Sequence, residues 1–281
     1  MDKKIKVALY ISGAILGLII IVFIYNSFFN NQFNSEIPEV SDSQTLSLPV
    51  KEQISGAFAK AQNDPSAENL GMLGMVYHSS ANYELAAQCY KLAINRKKSG
   101  WIWNYYLGYL SMEMGESDAV IENFKRVLKK NPKIDLAWYY IGEEYKNQRK
   151  NKLAEETFNK ITTQKDKISS VKKSVRYDNF SLSTYAMFQL SRLYFDTGRT
   201  DLSEKTLLEI IQKNRSFGPA YRLLGNIYSM NGDTVLSKWN SERASDLISF
   251  SPPVDTLVDK LVLLSRSELY LLKKIDEAEL S

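Results

Sequence analysis

The sequence predicts an all-α protein: a right-handed superhelical solenoid of about five helix hairpins with a C-terminal capping helix, preceded by one transmembrane helix. Three observations carry that prediction. Residues 7–25 read VALYISGAILGLIIIVFIY, without a single charge. Further along, Gly74, Gly108 and Gly142 stand 34 residues apart within similar apolar-aromatic blocks. Each block is followed at fixed distance by a second apolar set with helical spacing.

Composition bounds the function. The chain has 281 residues, 44% of them hydrophobic, enough for a sizeable core. A formal charge of +4 is a small surplus and no mark of a nucleic-acid binder. One cysteine, Cys89, and one histidine, His78, allow neither an internal disulfide nor a multi-ligand Cys/His zinc site. No Gly-rich phosphate loop, EF-hand pattern or paired-cysteine motif occurs, so no catalytic residue, cofactor or metal is expected.

The elements follow in chain order. As a helix rising about 1.5 Å per residue, residues 7–25 span about 28 Å, close to one bilayer core. Lys3, Lys4 and Lys6 precede them, and the stretch that follows has no Lys or Arg but carries Glu36, Glu39 and Asp42. The positive-inside rule therefore leaves the N-terminus in the cytoplasm and the body outside it. Asn, Phe and Gln after the apolar run, in place of a small-x-small site, favour an uncleaved anchor over a signal peptide. Residues 1–29 are read as stub and inner-membrane anchor, and the Asn-, Ser- and Gln-rich 30–50 as a flexible tether. Residues 51–66 are read as a leading helix on Ile54, Ala57, Phe58 and Ala61, stopped at Asp64-Pro65.

Residues 67–249 hold the repeats, near 67–100, 101–134, 135–164, 184–217 and 218–249. Gly74, Gly108 and Gly142 mark the first three; Ser191 stands in the fourth, and Gly225 in the fifth lies 34 residues beyond it. The second sets are Ala86, Tyr90, Ala93; Val120, Phe124, Val127; and Ala154, Phe158, Ile161, each on one helical face. Gly115, Gly198 and Gly232 mark the turns between paired helices. The small residue lets two antiparallel helices approach, and stacked hairpins bury faces that one hairpin leaves open.

These residues resemble the tetratricopeptide repeat family, in which Trp, Leu, Gly and Tyr occupy the first helix and Ala, Phe and Ala the second. Trp138, Ile141, Gly142, Tyr145, Ala154 and Phe158 match it best. The fourth and fifth repeats depart, with Ser203 or with Ser237 and Ser241 in the second helix, which predicts looser packing. The step from Gly142 to Ser191 exceeds one period and leaves an insert at 165–183, with Lys165, Lys167, Lys172, Lys173 and Arg176. That insert is read as solvated surface or as a contact for anionic lipid or an acidic partner. Residues 250–281, opening with Ser251-Pro252-Pro253, are read as a helix capping the last repeat.

The resemblance implies a concave groove lined by the first helices, which takes protein or peptide partners. Its inward positions here are Gly71, Met75, His78; Tyr105, Tyr109, Met112; Tyr139, Glu143, Lys146; Phe188, Arg192, Phe195; and Arg222, Asn226, Ser229. Among them Met75, Tyr105, Tyr109, Met112, Tyr139, Phe188, Arg192, Arg222 and Asn226 are the candidate partner-binding residues. Tyr and Phe offer rigid contact area and Arg a bidentate grip on carboxylate; packing against neighbouring helices is the competing role of the aromatics. The family's Lys-Asn carboxylate clamp is missing, with Gly71 and Met75 in its places. A His78–Cys89 dyad has no third residue to orient it, and Trp101 and Trp103 read as packing rather than as a ligand platform. The expectation is a membrane-anchored, non-enzymatic scaffold binding proteins on the periplasmic side and aiding assembly of an envelope complex. An accessory factor of cytochrome c maturation, a self-associating structural protein and an enzyme with an unrecognised site are the alternatives.

Overall fold

The computed structural model describes residues 15–21, 37–41, 45–98, 100–162, 180–247 and 250–280. Residues 15–21 are helical. After them come α1 (Leu48–Asn63), α2 (Ala67–His78), α3 (Tyr83–Arg96), α4 (Ile102–Glu113), α5 (Ser117–Lys130), α6 (Asp135–Asn147), α7 (Asn151–Thr162), α8 (Leu182–Asp196), α9 (Thr200–Lys213), α10 (Gly218–Met230), α11 (Thr234–Ser245), α12 (Thr256–Leu264) and α13 (Glu268–Leu280). No strand occurs among the described residues. Among them no helix is long and apolar enough to cross a membrane; apart from 15–21, the expected span 7–25 lies outside the described residues. The expected insert lies outside them too, apart from 180–183.

Five hairpins, α2–α3 through α10–α11, stack in chain order. Within each pair the small residue sits under an aromatic of the second helix. Gly74 meets Tyr90, Gly108 meets Phe124 and Gly142 meets Phe158, and all three rings are fully buried. Ser replaces this packing with hydrogen bonds in the fourth pair: Ser203 Oγ donates to the Ser191 carbonyl at 2.8 Å. The fifth packs closely despite its serines, with Gly225 against Ser241, although α11, at the end of the array, buries only Asn240 and Ala244.

The turns share one backbone device. Gly115, Gly198 and Gly232 have φ of +73°, +74° and +79°. Ala81 and Arg149 occupy the same place in repeats one and three with φ of 61° and 57°. The left-handed turn is thus a property of the repeat, met by glycine where available and tolerated at modest strain elsewhere.

Two expectations are corrected. Part of the expected tether is packed: Ile37 is buried, and the Pro38 carbonyl accepts from Tyr77 Oη at 2.9 Å. The leading helix starts at Leu48, with Pro49 in its first turn, where a missing N–H costs nothing. The larger correction concerns the C-terminal segment. It does not cap the fifth repeat; α12 lies against α2 and α4, at the opposite end of the array.

Candidate peptide-binding groove

The C-terminal segment runs back along the first helices from repeat four to repeat one. Phe250 stacks on Phe188 with centroids 5.8 Å apart. Asp255 comes next, buried, with Oδ2 accepting from Tyr105 Oη at 2.6 Å and Tyr140 Oη at 2.8 Å. Its Oδ1 caps α12 by accepting from the Leu257 and Val258 amides. Tyr106 Oη donates to the Leu257 carbonyl at 3.1 Å, and Leu261 is fully buried. Past α12, Gln53 Nε2 donates to the Leu264 carbonyl at 2.7 Å, and Ser265 Oγ to the Ser79 carbonyl at 2.6 Å.

An ionic cluster holds α13. Glu113, at the end of α4, accepts from Lys274 Nζ and from His78 Nε2 at 3.3 Å. Lys274 also reaches Tyr109 Oη at 3.1 Å, and Lys273 reaches Tyr83 Oη at 2.8 Å. Burial opposes the Glu113 charge, but His78 and Lys274 outweigh it and hold the carboxyl at about 2. Burial likewise opposes the Lys274 charge, and Tyr109 and Glu113 reverse that to raise its pKa. His78 is fully buried, and its pKa falls because burial disfavours imidazolium. The neutral ring then donates from Nε2 to Glu113 and accepts at Nδ1 from Tyr90 Oη at 3.3 Å.

The predicted groove residues divide into two sets. Met75, Tyr105, Tyr109, Tyr139 and Phe188 are buried by the chain itself, and Met112 is half-buried. Gly71 does not face open groove, because the Trp103 ring covers it. Tyr139 joins repeats three and four: its Oη donates to Glu143 at 3.1 Å and accepts from Gln189 Nε2 at 3.0 Å, with Lys146 Nζ on Gln189 Oε1 at 2.5 Å. Burial, aided by the Arg192 charge, lowers Lys146 to about 8, and burial raises Glu143. Arg192, Arg222 and Asn226 are exposed. With Phe188, Pro219, Leu223 and Phe250 they line an open cavity of about 260 Å³. Neither arginine has an ion pair or hydrogen bond among the described residues.

The dyad does not form. His78 turns to Tyr90 and Glu113, while burial pushes the Cys89 thiol up to about 12, far from a thiolate at neutral pH. Trp103 is buried and stacks on Tyr90 and Tyr106, the packing role expected of it. Sequence reasoning missed Glu113, Asp255, Lys273 and Lys274. A signal was present in the tyrosines of α4 and α6: Tyr105, Tyr106, Tyr109, Tyr139 and Tyr140 bring five phenols to one region, and buried phenols need partners.

Residues 67–99 match the family model described as tetratricopeptide repeat. No curated protein matches the sequence. Solved structures share the fold at low identity. The C-terminal part of a TPR repeat-containing protein from Cytophaga hutchinsonii is 14% identical, with a TM-score of 0.55 over 80% of this chain and 78% of that one. MamA from Desulfovibrio magneticus RS-1 is 14% identical, with a TM-score of 0.53 over 64% of this chain and 94% of that one. YrrB, described as a TPR protein with an unusual peptide-binding site, is 15% identical, with a TM-score of 0.50 over 69% of this chain and 91% of that one. The repeat spacing and the model matched at 67–99 liken this chain to the tetratricopeptide repeat family, and its stacked hairpins share the fold of solved tetratricopeptide repeat proteins.

Proposed function

We propose that this chain is a membrane-anchored scaffold that holds an acidic partner segment at the open, C-terminal end of its concave groove. The observation that carries the reading is the pair Arg192 and Arg222, unpaired among the described residues, over an apolar floor of Phe188 and Phe250. Two guanidinium groups beside aromatic and aliphatic surface suit a carboxylate flanked by an apolar side chain. The neighbouring groove already accommodates polypeptide, the chain's own C-terminal segment, and places a carboxylate between two phenols. Tyr109, by contrast, is covered by Lys274.

The anchor belongs to the same proposal. The uncharged run 7–25 and its flanking charges support a single inner-membrane span with the array outside the cytoplasm. Confinement near the bilayer raises the effective concentration for envelope partners, which suits a role in assembling an envelope complex. A photo-crosslinker at Asn226, with a control at Lys125 on the outer side of repeat two, tests the groove. Capture from Asn226 alone, lost on Arg192→Glu plus Arg222→Glu, is the expected result; equal capture at both positions overturns the reading. Resistance of the full chain to alkaline extraction from membranes, with the array labelled by an impermeant reagent from outside, tests the anchor, and release or protection contradicts it.

A further inference from the structure

The 34-residue register singles out the last hairpin. Two outward places in the second helices carry Glu84 and Gln88, Asp118 and Glu122, Lys152 and Glu156, and Asp201 and Lys205 in repeats one to four. All eight are exposed. In the fifth repeat the same places carry Val235 and Trp239, 76% and 57% exposed. These two are not an uncovered stacking face, because the same places in α3, α5, α7 and α9 face solvent even where a following repeat is present. Among the described residues, Trp239 meets one aromatic ring, that of Tyr221, with centroids 6.1 Å apart. Large apolar side chains gathered where every other repeat has polar ones mark an interaction surface.

We infer that this face of α11 is the contact by which two copies of the chain pair antiparallel about a two-fold axis near residue 240. The charges decide the partner. Lys238 and Glu242 lie on the same exposed face one turn apart, with a nitrogen–oxygen distance of 3.8 Å within the helix. Antiparallel pairing sets Lys238 of each copy against Glu242 of the other, since 238 + 242 equals twice 240, and brings the two Trp239 rings to the centre. A surface that is complementary to itself in charge and apolar at its centre is what a two-fold interface requires. The C-terminal segment leaves this end free by turning back into the groove, and the surface lies apart from Arg192 and Arg222, so pairing and partner capture are separable.

Light scattering on the detergent-solubilised full chain, corrected for bound detergent, tests the inference. Wild type is expected at twice 32.2 kDa. Trp239→Glu is expected at the single-chain mass with unchanged far-UV dichroism. Lys238→Glu, which opposes Glu242 with like charge in both halves, is expected to weaken pairing by about tenfold or more. The exchange Lys238→Glu with Glu242→Lys is expected to restore it. A single-chain mass for wild type at every concentration, the result if another protein or the membrane surface covers this face, overturns the inference. So does a dimer indifferent to Trp239→Glu, or a charge exchange that fails to rescue.

Discussion

Replacing Asp255 by Ala removes four interactions at once, and their sum can be estimated from the structure. Oδ2 accepts from the Tyr105 and Tyr140 hydroxyls at 2.6 and 2.8 Å in a buried site, and Oδ1 caps α12 through two amides at 2.9 and 3.1 Å. Loss of an N-cap costs about 1 kcal/mol. Each buried phenol left without an acceptor costs about 1–3 kcal/mol. The sum, about 3–5 kcal/mol after partial relaxation, falls on the docking of the C-terminal segment rather than on the hairpins. Hydrogen exchange by mass spectrometry on the full chain reads it directly. Peptides covering α12 and the start of α13 should exchange at least about 100-fold faster in Asp255→Ala, a factor of ten per 1.4 kcal/mol. Peptides in α6 and α7 should change little. The double variant Tyr105→Phe, Tyr140→Phe on the Ala background should cost little more, because the orphaned phenols are gone. Unchanged exchange in α12, or full additivity of the double variant, refutes the reasoning.

Gly142→Ala should destabilise by up to about 2 kcal/mol, because overpacking costs about 1–3 kcal/mol and the gain in helix propensity returns about 1. Its Cβ would stand 2.6 Å from the buried Phe158 ring, whereas at Gly108 the nearest ring atom, on Phe124, is 3.2 Å away, so Gly108→Ala should be near neutral by urea unfolding. Stability should also fall with acid. Burial lowers the folded pKa of His78, so below about 6.5 the unfolded chain binds a proton that the folded chain refuses. The slope is at most about 1.4 kcal/mol per pH unit, and His78→Gln should flatten it in melting curves between pH 7.5 and 5. Glu113, held at about 2 against the ordinary 4.5, contributes stability that is complete above 4.5 and lost as pH falls from there toward 2.

The repeat architecture was legible because it is written in spacing. Gly74, Gly108 and Gly142, with Tyr90, Phe124 and Phe158 sixteen residues beyond each, specify which helices meet and through which atoms. The turns at Ala81 and Arg149 were not legible, since neither residue advertises a left-handed backbone; only their register with Gly115, Gly198 and Gly232 reveals it. The C-terminal segment shows the limit more sharply. Val254, Leu257, Leu261 and Leu264 predict a helix, and a helix is found, but periodicity says nothing about which surface receives it. Its destination is set by long-range polar partners, Asp255 to Tyr105 and Tyr140, Ser265 to Ser79, and Lys274 to Glu113, separated by more than a hundred residues in sequence. The groove positions therefore lie on the first helices as their register places them, while their availability depends on a segment that a local reading sends to the wrong end.

The central claim is that the C-terminal segment lies in the groove at repeats one to three and leaves the end near Arg192 and Arg222 open. Spin labels on exposed residues test it most directly: one at Leu272, beside the Lys273 that Tyr83 holds, paired in one protein with Glu84 and in another with Lys238. Cys89 is buried and does not compete for label. Pulsed dipolar spectroscopy on the full chain should give a short, narrow distance for 272–84 and a long one for 272–238, with Asp255→Ala broadening the first. A short distance to Lys238 and a long one to Glu84 would place the segment as a cap on the fifth repeat and contradict the account.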